Sequence, residues 1–304
     1  MLNIAFIGSG GDFSLLPMKY LINSEHNLCL VGVDGISKTL NTDPRLQIFR
    51  PAQAESVESI ARTEQIPLID LQQNLTQLCT SLKEYQLDLI IVACYSKKLP
   101  QEILTIPKIA AINLHLSLLP AYRGPVPLFW QFRQGLNDYG ISLHKMDAGF
   151  DTGPIVAQQA VKFSDGLEHQ ELNTILAEQG TGLLKGYLQA LQTKQVIEKV
   201  QAEKLSSYMT YPQAKDFVIS NSWTAQRIFN FIRATKHWGR PYPCDLGGRL
   251  FHLKDVISYS IEIQPNDFAS DTPYKIHADN IFIACQSGML KARLFIPIND
   301  RIPS

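Results

Sequence analysis

Leu87-Asp-Leu-Ile-Ile-Val-Ala-Cys-Tyr-Ser-Lys-Lys-Leu-Pro100 is the stretch that decides the fold. From Leu87 to Ala93 it is apolar at nearly every position rather than at alternate ones, as in a strand covered on both faces. It then empties abruptly into a polar loop closed by a proline. Open α/β sheets bind ligands beyond the carboxyl ends of their strands, so this loop is expected to border a crevice.

On the N-terminal side the same alphabet repeats. Leu2–Ile7 is a short apolar run ending at Gly8-Ser-Gly-Gly-Asp12, and a helical pattern follows through Ile22. Leu28–Val33 reads as a second buried strand, Ile36–Ala54 as a polar connection, and Val57–Glu64 as a helix. Pro67–Asp70 is a short strand and Leu75–Tyr85 an amphipathic helix. Strands alternating with helices predict an α/β domain with a Rossmann-like, mostly parallel sheet. The third glycine of a GxGxxG fingerprint falls on Phe13, so the glycines read as a tight turn rather than a dinucleotide site, although Asp34 stands about 20 positions on.

On the C-terminal side comes Ile112-Asn-Leu-His-Leu-Ser-Leu-Leu-Pro-Ala-Tyr-Arg-Gly124. Asn113, His115 and Ser117 alternate with Ile112, Leu114 and Leu116, so as a strand the three polar side chains share one face. Val126–Gln134 reads as a helix, and Gly140–Met146 and Ile155–Phe163 as strands flanking the loop Met146-Asp-Ala-Gly-Phe-Asp-Thr-Gly153. A helical pattern over Glu168–Leu191 closes the first domain, expected to span 1–195. Lys194–Ser207 is polar and reads as a linker. A helix over Trp223–His237 and short runs at Leu250–Val256, Ile281–Cys285 and Met289–Ile296 predict a smaller, mostly β, barrel-like (OB-like) domain over 205–304.

Composition narrows the class. The 304 residues are 45% hydrophobic and 18% charged, a soluble globular balance, with 28 basic and 28 acidic residues. No global field recruits nucleic acid or an anionic membrane. The five cysteines (Cys29, Cys79, Cys94, Cys244, Cys285) form no CxxC or metal spacing and read as free thiols. The opening run has no basic start and flows into a glycine turn, and no apolar run reaches bilayer length. A cytoplasmic protein with no membrane partner is expected.

An Asn amide donates hydrogen bonds at any pH, a His donates or moves a proton, and a carboxylate orients the His or holds a water. Asn113, His115 and Asp151 therefore suit acyl transfer through a tetrahedral intermediate. On spacing alone, such residues at a strand end more often satisfy local backbone groups. No GxSxG elbow or motif cysteine offers a nucleophile. One His and two Asp residues make a poor zinc set, so no metal is expected.

The pattern Asn-x-His-x-Ser-Leu-Leu-Pro, then Tyr-Arg-Gly, then Met-Asp-x-Gly-x-Asp-Thr-Gly, resembles the 10-formyltetrahydrofolate-dependent formyltransferases. The core of the match runs from about Leu87 to Ala160, and a looser one from Met1 to about Leu191. The resemblance implies catalytic roles for Asn113, His115 and Asp151, with Asn113 and protonated His115 on the oxyanion and Asp151 orienting His115 and a water. It implies binding of 10-formyltetrahydrofolate as co-substrate, largely through backbone groups. The positions concerned are Ser96, Lys97 and Leu99, then Ser117, Leu118, Leu119 and Pro120, then Met146 and Asp147, of which Asp147 is expected mainly to shape its loop.

The acceptor amine is less sharply marked. The two-domain layout, and Trp223-Thr-Ala-Gln-Arg-Ile-Phe-Asn-Phe-Ile-Arg-Ala234 with Trp238 and Gly247-Gly248, is similar to methionyl-tRNA formyltransferases, implying aminoacyl-tRNA as partner. Residues 205–304 carry eleven Lys and Arg against eight Asp and Glu, a net of only +3. Asp34–Leu46 holds Lys38 and Arg45 but no basic glycine cluster such as the tRNA enzymes carry. Pro125-Val-Pro-Leu-Phe-Trp-Gln131 resembles formyltransferases of amino sugars and the formylating domains of peptide synthetases. A small-molecule amine, whether an amino sugar or an amino acid derivative, is the alternative acceptor. A formyltetrahydrofolate hydrolase would use the same trio with water.

Overall fold

The computed structural model describes residues 1–36, 55–136, 138–262 and 272–295. The Lys38 and Arg45 reading, and most of the 36–54 connection, lie outside the described residues. In chain order the first elements are β1 (Asn3–Gly8), α1 (Asp12–Ile22), β2 (Asn27–Val33), α2 (Val57–Thr63), β3 (Leu68–Asp70), α3 (Leu75–Glu84), β4 (Leu89–Ala93) and α4 (Gln101–Leu104). There follow β5 (Ala110–His115), α5 (Pro127–Gln134), β6 (Tyr139–Lys145), β7 (Ile155–Val161) and α6 (His169–Gln192). The remainder is α7 (Ala225–Thr235), β8 (Tyr242–Asp245), β9 (Leu250–Ser260), β10 (Tyr274–His277), β11 (Asn280–Ala284) and β12 (Met289–Leu294).

The first seven strands form one sheet in the order β3-β2-β1-β4-β5-β6-β7. β1, β2, β3, β4 and β5 pair in parallel, whereas β6 runs antiparallel to β5. Leu89, Ile90, Ile91 and Val92 of β4 are at most 1% exposed, as the unbroken apolar run requires. The chain winds from β1 to one side and returns to β4 on the other, so the switch point lies between their carboxyl ends. There the buried Ser14 of α1 donates to the Ala93 carbonyl (2.9 Å) and Ser9 to that of Cys94 (3.1 Å).

By contacts the chain forms two compact units that interleave in sequence. Met1–Pro125, Gly140–Val161 and Asn173–Tyr208 make the first; Val126–Tyr139, Lys162–Leu172 and Met209–Ser304 make the second. The first holds the core of the large sheet. The second holds a five-stranded antiparallel sheet, β10-β11-β12-β9-β8, packed against α7.

Within the second unit α5 joins an aromatic core. The Phe129 ring lies 5.1 Å from Phe217, 5.4 Å from Phe231 and 5.9 Å from Trp238. This explains why α5, read as part of the first domain, groups with the C-terminal strands. β8 escaped the sequence reading because Pro243 stands within it, which only an edge strand tolerates, and β8 is an edge. The helix expected from Trp223 begins two residues later, where the Thr224 hydroxyl caps the Arg227 N–H (3.2 Å). Trp223 itself lies under the guanidinium groups of Arg227 (3.8 Å) and Arg133 (5.2 Å). Phe231 is fully buried among these rings. Phe231→Ala is expected to lower the unfolding free energy by about 3–5 kcal/mol, read from a urea or thermal transition.

Candidate active site

β5 and β6 build the floor of the site. Their antiparallel register sets Asn113 opposite His144 and His115 opposite Ser142, and directly opposed residues share a face. Ile112, Leu114, Ile141 and Leu143 fill the other face and are buried. Four polar side chains therefore stand together on the strands that end at the crevice. Asp151 reaches this group from the loop after β6.

The Asp151 carboxylate is the hub. Its Oδ2 accepts from the Gly124 N–H (2.9 Å) and its Oδ1 from the Asn113 amide (3.3 Å). Oδ1 also lies 3.6 Å from His115 Nδ1 and 3.4 Å from His144 Nε2. Burial acts to raise this carboxyl's pKa, but the His115 and His144 imidazoles in their protonated forms and the Gly124 N–H outweigh it. They hold the group well below the usual carboxylate range. At neutral pH Asp151 is an anion.

His115 is 6% exposed. Burial is the main force on its imidazole and lowers the pKa, with His144 acting the same way and Asp151 and the Tyr122 carbonyl opposing. The resting ring is neutral at pH 7. Its Nε2 faces the Tyr122 carbonyl at 2.9 Å, which requires a proton there and leaves Nδ1 toward the carboxylate. His144 Nδ1 faces the Lys145 carbonyl at 2.8 Å, so its Nε2 is free to accept from Asn113 (3.2 Å). Both N–H bonds of Asn113 are thus engaged within the site.

Sequence reading missed His144. The signal was the alternation Ser142, His144 among apolar residues on the strand opposite Asn113 and His115. Recognising it needed the β5–β6 register.

Ser117 does not share the strand face. β5 ends at His115, and the fully buried Ser117 hydroxyl turns inward to donate to the Ala121 carbonyl (2.7 Å). Ser142 and Gln158 brace the same turn through the Ser117 and Leu119 carbonyls and the Leu119 N–H. Leu119 is buried, and Leu118 packs over Gly140, where a Cβ would stand 2.3 Å from its Cδ2. Leu118 and Pro120 are half-buried.

In the β4 loop Ser96 is exposed, whereas Lys97 pairs with Asp34 (2.7 Å). Leu99 is 2% exposed and belongs to the hydrophobic core, against which Met146 also packs. The Leu99 and Leu119 side chains, with the Ser117 hydroxyl, are therefore committed inward, and such positions can meet a ligand only through backbone groups. Asp147 ties its own loop, accepting from the Gly149 N–H (2.9 Å) and the Thr152 hydroxyl (2.5 Å). A Cβ at Gly153 would stand 2.0 Å from the Lys145 carbonyl oxygen, so the loop closes only with glycine. Phe150, 42% exposed, lies beside Tyr208 (6.1 Å) and under Lys98 (5.7 Å).

The arrangement offers an amide donor, an imidazole and a carboxylate around one point, with backbone-lined loops on either side. It can stabilise an oxyanion and carry a proton. No group of three or more metal-ligating side chains occurs among the described residues. No described helix is long and apolar enough to cross a membrane.

A family model described as formyl transferase matches residues 2–191. The methionyl-tRNA formyltransferase of Syntrophomonas wolfei is 32% identical over 282 residues, covering 89% of this chain and 87% of that one. The enzyme of the same name from Geobacter metallireducens is 29% identical over 291 residues, covering 95% and 89%. Among solved structures, an N-formyltransferase from Helicobacter canadensis in complex with folinic acid and dTDP-3-aminofucose superposes with a TM-score of 0.67 at 16% identity. That match covers 97% of this chain and all of the other, and it is a likeness of fold.

Proposed function

The chain belongs to the formyl transferase family, and from that premise we propose that it moves a formyl group from 10-formyltetrahydrofolate to the amino group of an aminoacyl-tRNA. The observation that carries the acceptor is similarity along nearly the whole length of methionyl-tRNA formyltransferases, C-terminal strands included. In this reading residues 1–195 hold the chemistry and the β domain over 205–304 meets the acceptor.

The chemistry follows from the site. The acceptor nitrogen attacks the formyl carbon on N10, and the carbonyl oxygen becomes an oxyanion. Asn113 turns an N–H onto that oxygen. The nitrogen sheds a proton, which the neutral His115 and anionic Asp151 hold between them, so His115 becomes charged as the oxyanion forms. As the C–N10 bond breaks, the proton passes to N10, leaving a formamide and tetrahydrofolate. Backbone groups of Ser96, Lys97 and Leu99, of Ser117–Pro120 and of Met146 and Asp147 line the folate site.

A small-molecule amine is the second reading, favoured by the weak net charge of residues 205–304 and by the sparse basic character of Asp34–Leu46. Turnover of 10-formyltetrahydrofolate with methionyl-tRNA, amino sugars and free amino acids decides between them, followed as tetrahydrofolate release. Release that depends on methionyl-tRNA is the expected outcome. Release only with an amino sugar or amino acid establishes the second reading, and release as formate without any amine makes the protein a hydrolase.

A further inference from the structure

The polar stretch after α6 reads as a linker, yet it grips both walls of the site. Gln201, in the middle of it, is 9% exposed. Its Nε2 donates to the carbonyls of Asp151 (2.8 Å) and Gly153 (2.7 Å), which spends both of its N–H bonds. Its Oε1 accepts from Arg123 Nε (3.2 Å) and Nη2 (3.0 Å). Donors on one side and carbonyls on the other leave this amide a single orientation.

Arg123 is 5% exposed, and two more of its N–H bonds reach the carboxylate of Glu203 (3.0 and 3.1 Å). Ser207 completes the grip. Its hydroxyl accepts from the Tyr122 N–H (2.8 Å) and its carbonyl from the Arg123 N–H (2.9 Å). Upstream, Lys199 and Ile155 exchange two backbone hydrogen bonds (2.8 and 2.9 Å).

The partners of this strap are the two catalytic walls. Asp151 sits at φ +56°, a left-handed conformation uncommon for a residue with a Cβ, so its neighbours must hold it there. Tyr122, at φ +60°, offers His115 the carbonyl that fixes its Nε2. Gln201 is bonded to the first and Ser207 to the second.

We propose that the strap over 199–208 is a clamp, with Gln201 and Ser207 as positioning residues that keep the Asp151 carboxylate and the His115 ring in register. The clamp rests on the catalytic reading above, since what it positions are the groups assigned there to proton transfer and oxyanion stabilisation.

Gln201→Met keeps the length and neutrality of the side chain and removes its donors. Ser207→Ala removes only the hydroxyl and serves as the second variant if the first does not fold. Two readouts are made on the full chain. The first is the KM and kcat for 10-formyltetrahydrofolate; displacing a reacting group by 1 Å is enough to lower kcat by about 10²-fold, with KM near that of the parent. The second is the NMR titration of the His115 imidazole without substrate, where Asp151, His144 and the Tyr122 carbonyl face the ring. With Asp151 released the midpoint is expected to fall, because the carboxylate is the charge that raises it.

A variant that folds, loses kcat and keeps the parent's His115 midpoint overturns the clamp, as does one with unchanged kcat and midpoint. Absence of formyl transfer by the parent to any acceptor defeats the functional reading instead. The titration still reads the clamp in that case.

Discussion

Asp151→Ala is expected to lower kcat by about 10²- to 10⁴-fold, the range for loss of a positioned acid–base group. The carboxylate meets Asn113, His115, His144 and the Gly124 N–H, so its removal releases one Asn113 N–H, leaves the Gly124 N–H unmet and takes away the anion beside His115. Without that anion the Tyr122 carbonyl alone, of the groups acting on the ring, still offsets the burial that disfavours a charged imidazole. The fold is expected to survive, because the resting histidine is neutral and no buried charge is stranded. Asp151→Asn separates charge from shape. One amide oxygen can still accept from Gly124, but the NH2 group then meets the Asn113 donors, so turnover falls as it does for alanine. Circular dichroism and a thermal transition verify the fold of both variants.

The same carboxylate sets an acid limb of stability. Its pKa is depressed on folding, so its contribution is complete above the unfolded value, about 3.9, and is lost as pH falls through the folded value. The thermal midpoint of Asp151→Asn is therefore expected to fall less than the parent's between about pH 4 and pH 2.

The parts legible in the sequence were those written in local patterns. The apolar run Leu87–Ala93 marks a strand covered on both faces wherever it stands, and the polar–apolar alternation at Asn113 and His115 marks a shared face. What stayed hidden depends on pairing between distant residues. His144 becomes a partner of Asn113 only through a strand register, and Ser117 leaves the face because its hydroxyl finds the Ala121 carbonyl in the turn. Gln201 looks like any residue of a polar linker until the loop 50 positions earlier supplies two carbonyls to it. Phe129 and Trp223 were read by helical periodicity, whereas their neighbours are rings and guanidinium groups from other elements. Local pattern names the strand ends where chemistry can happen. Tertiary hydrogen bonds decide which side chains take part.

Asn113→Ala is expected to lower kcat by about 10²- to 10³-fold, as for the loss of one oxyanion donor. The resting geometry says how that loss divides between kcat and KM. Both Asn113 N–H bonds are engaged, one with His144 Nε2 and one with Asp151 Oδ1. The amide can serve an oxyanion only by releasing one of them, and the bond to the His144 ring nitrogen is weaker than one to a developing anion. The exchange is unfavourable with a ground-state carbonyl and favourable once charge has built up on the oxygen. The donor therefore acts in the transition state and contributes little to substrate affinity, which is the condition for a loss in kcat rather than in KM. Steady-state kinetics against 10-formyltetrahydrofolate measure that split directly. A variant that raises KM with kcat intact shows Asn113 to be a binding residue and moves oxyanion stabilisation to His115.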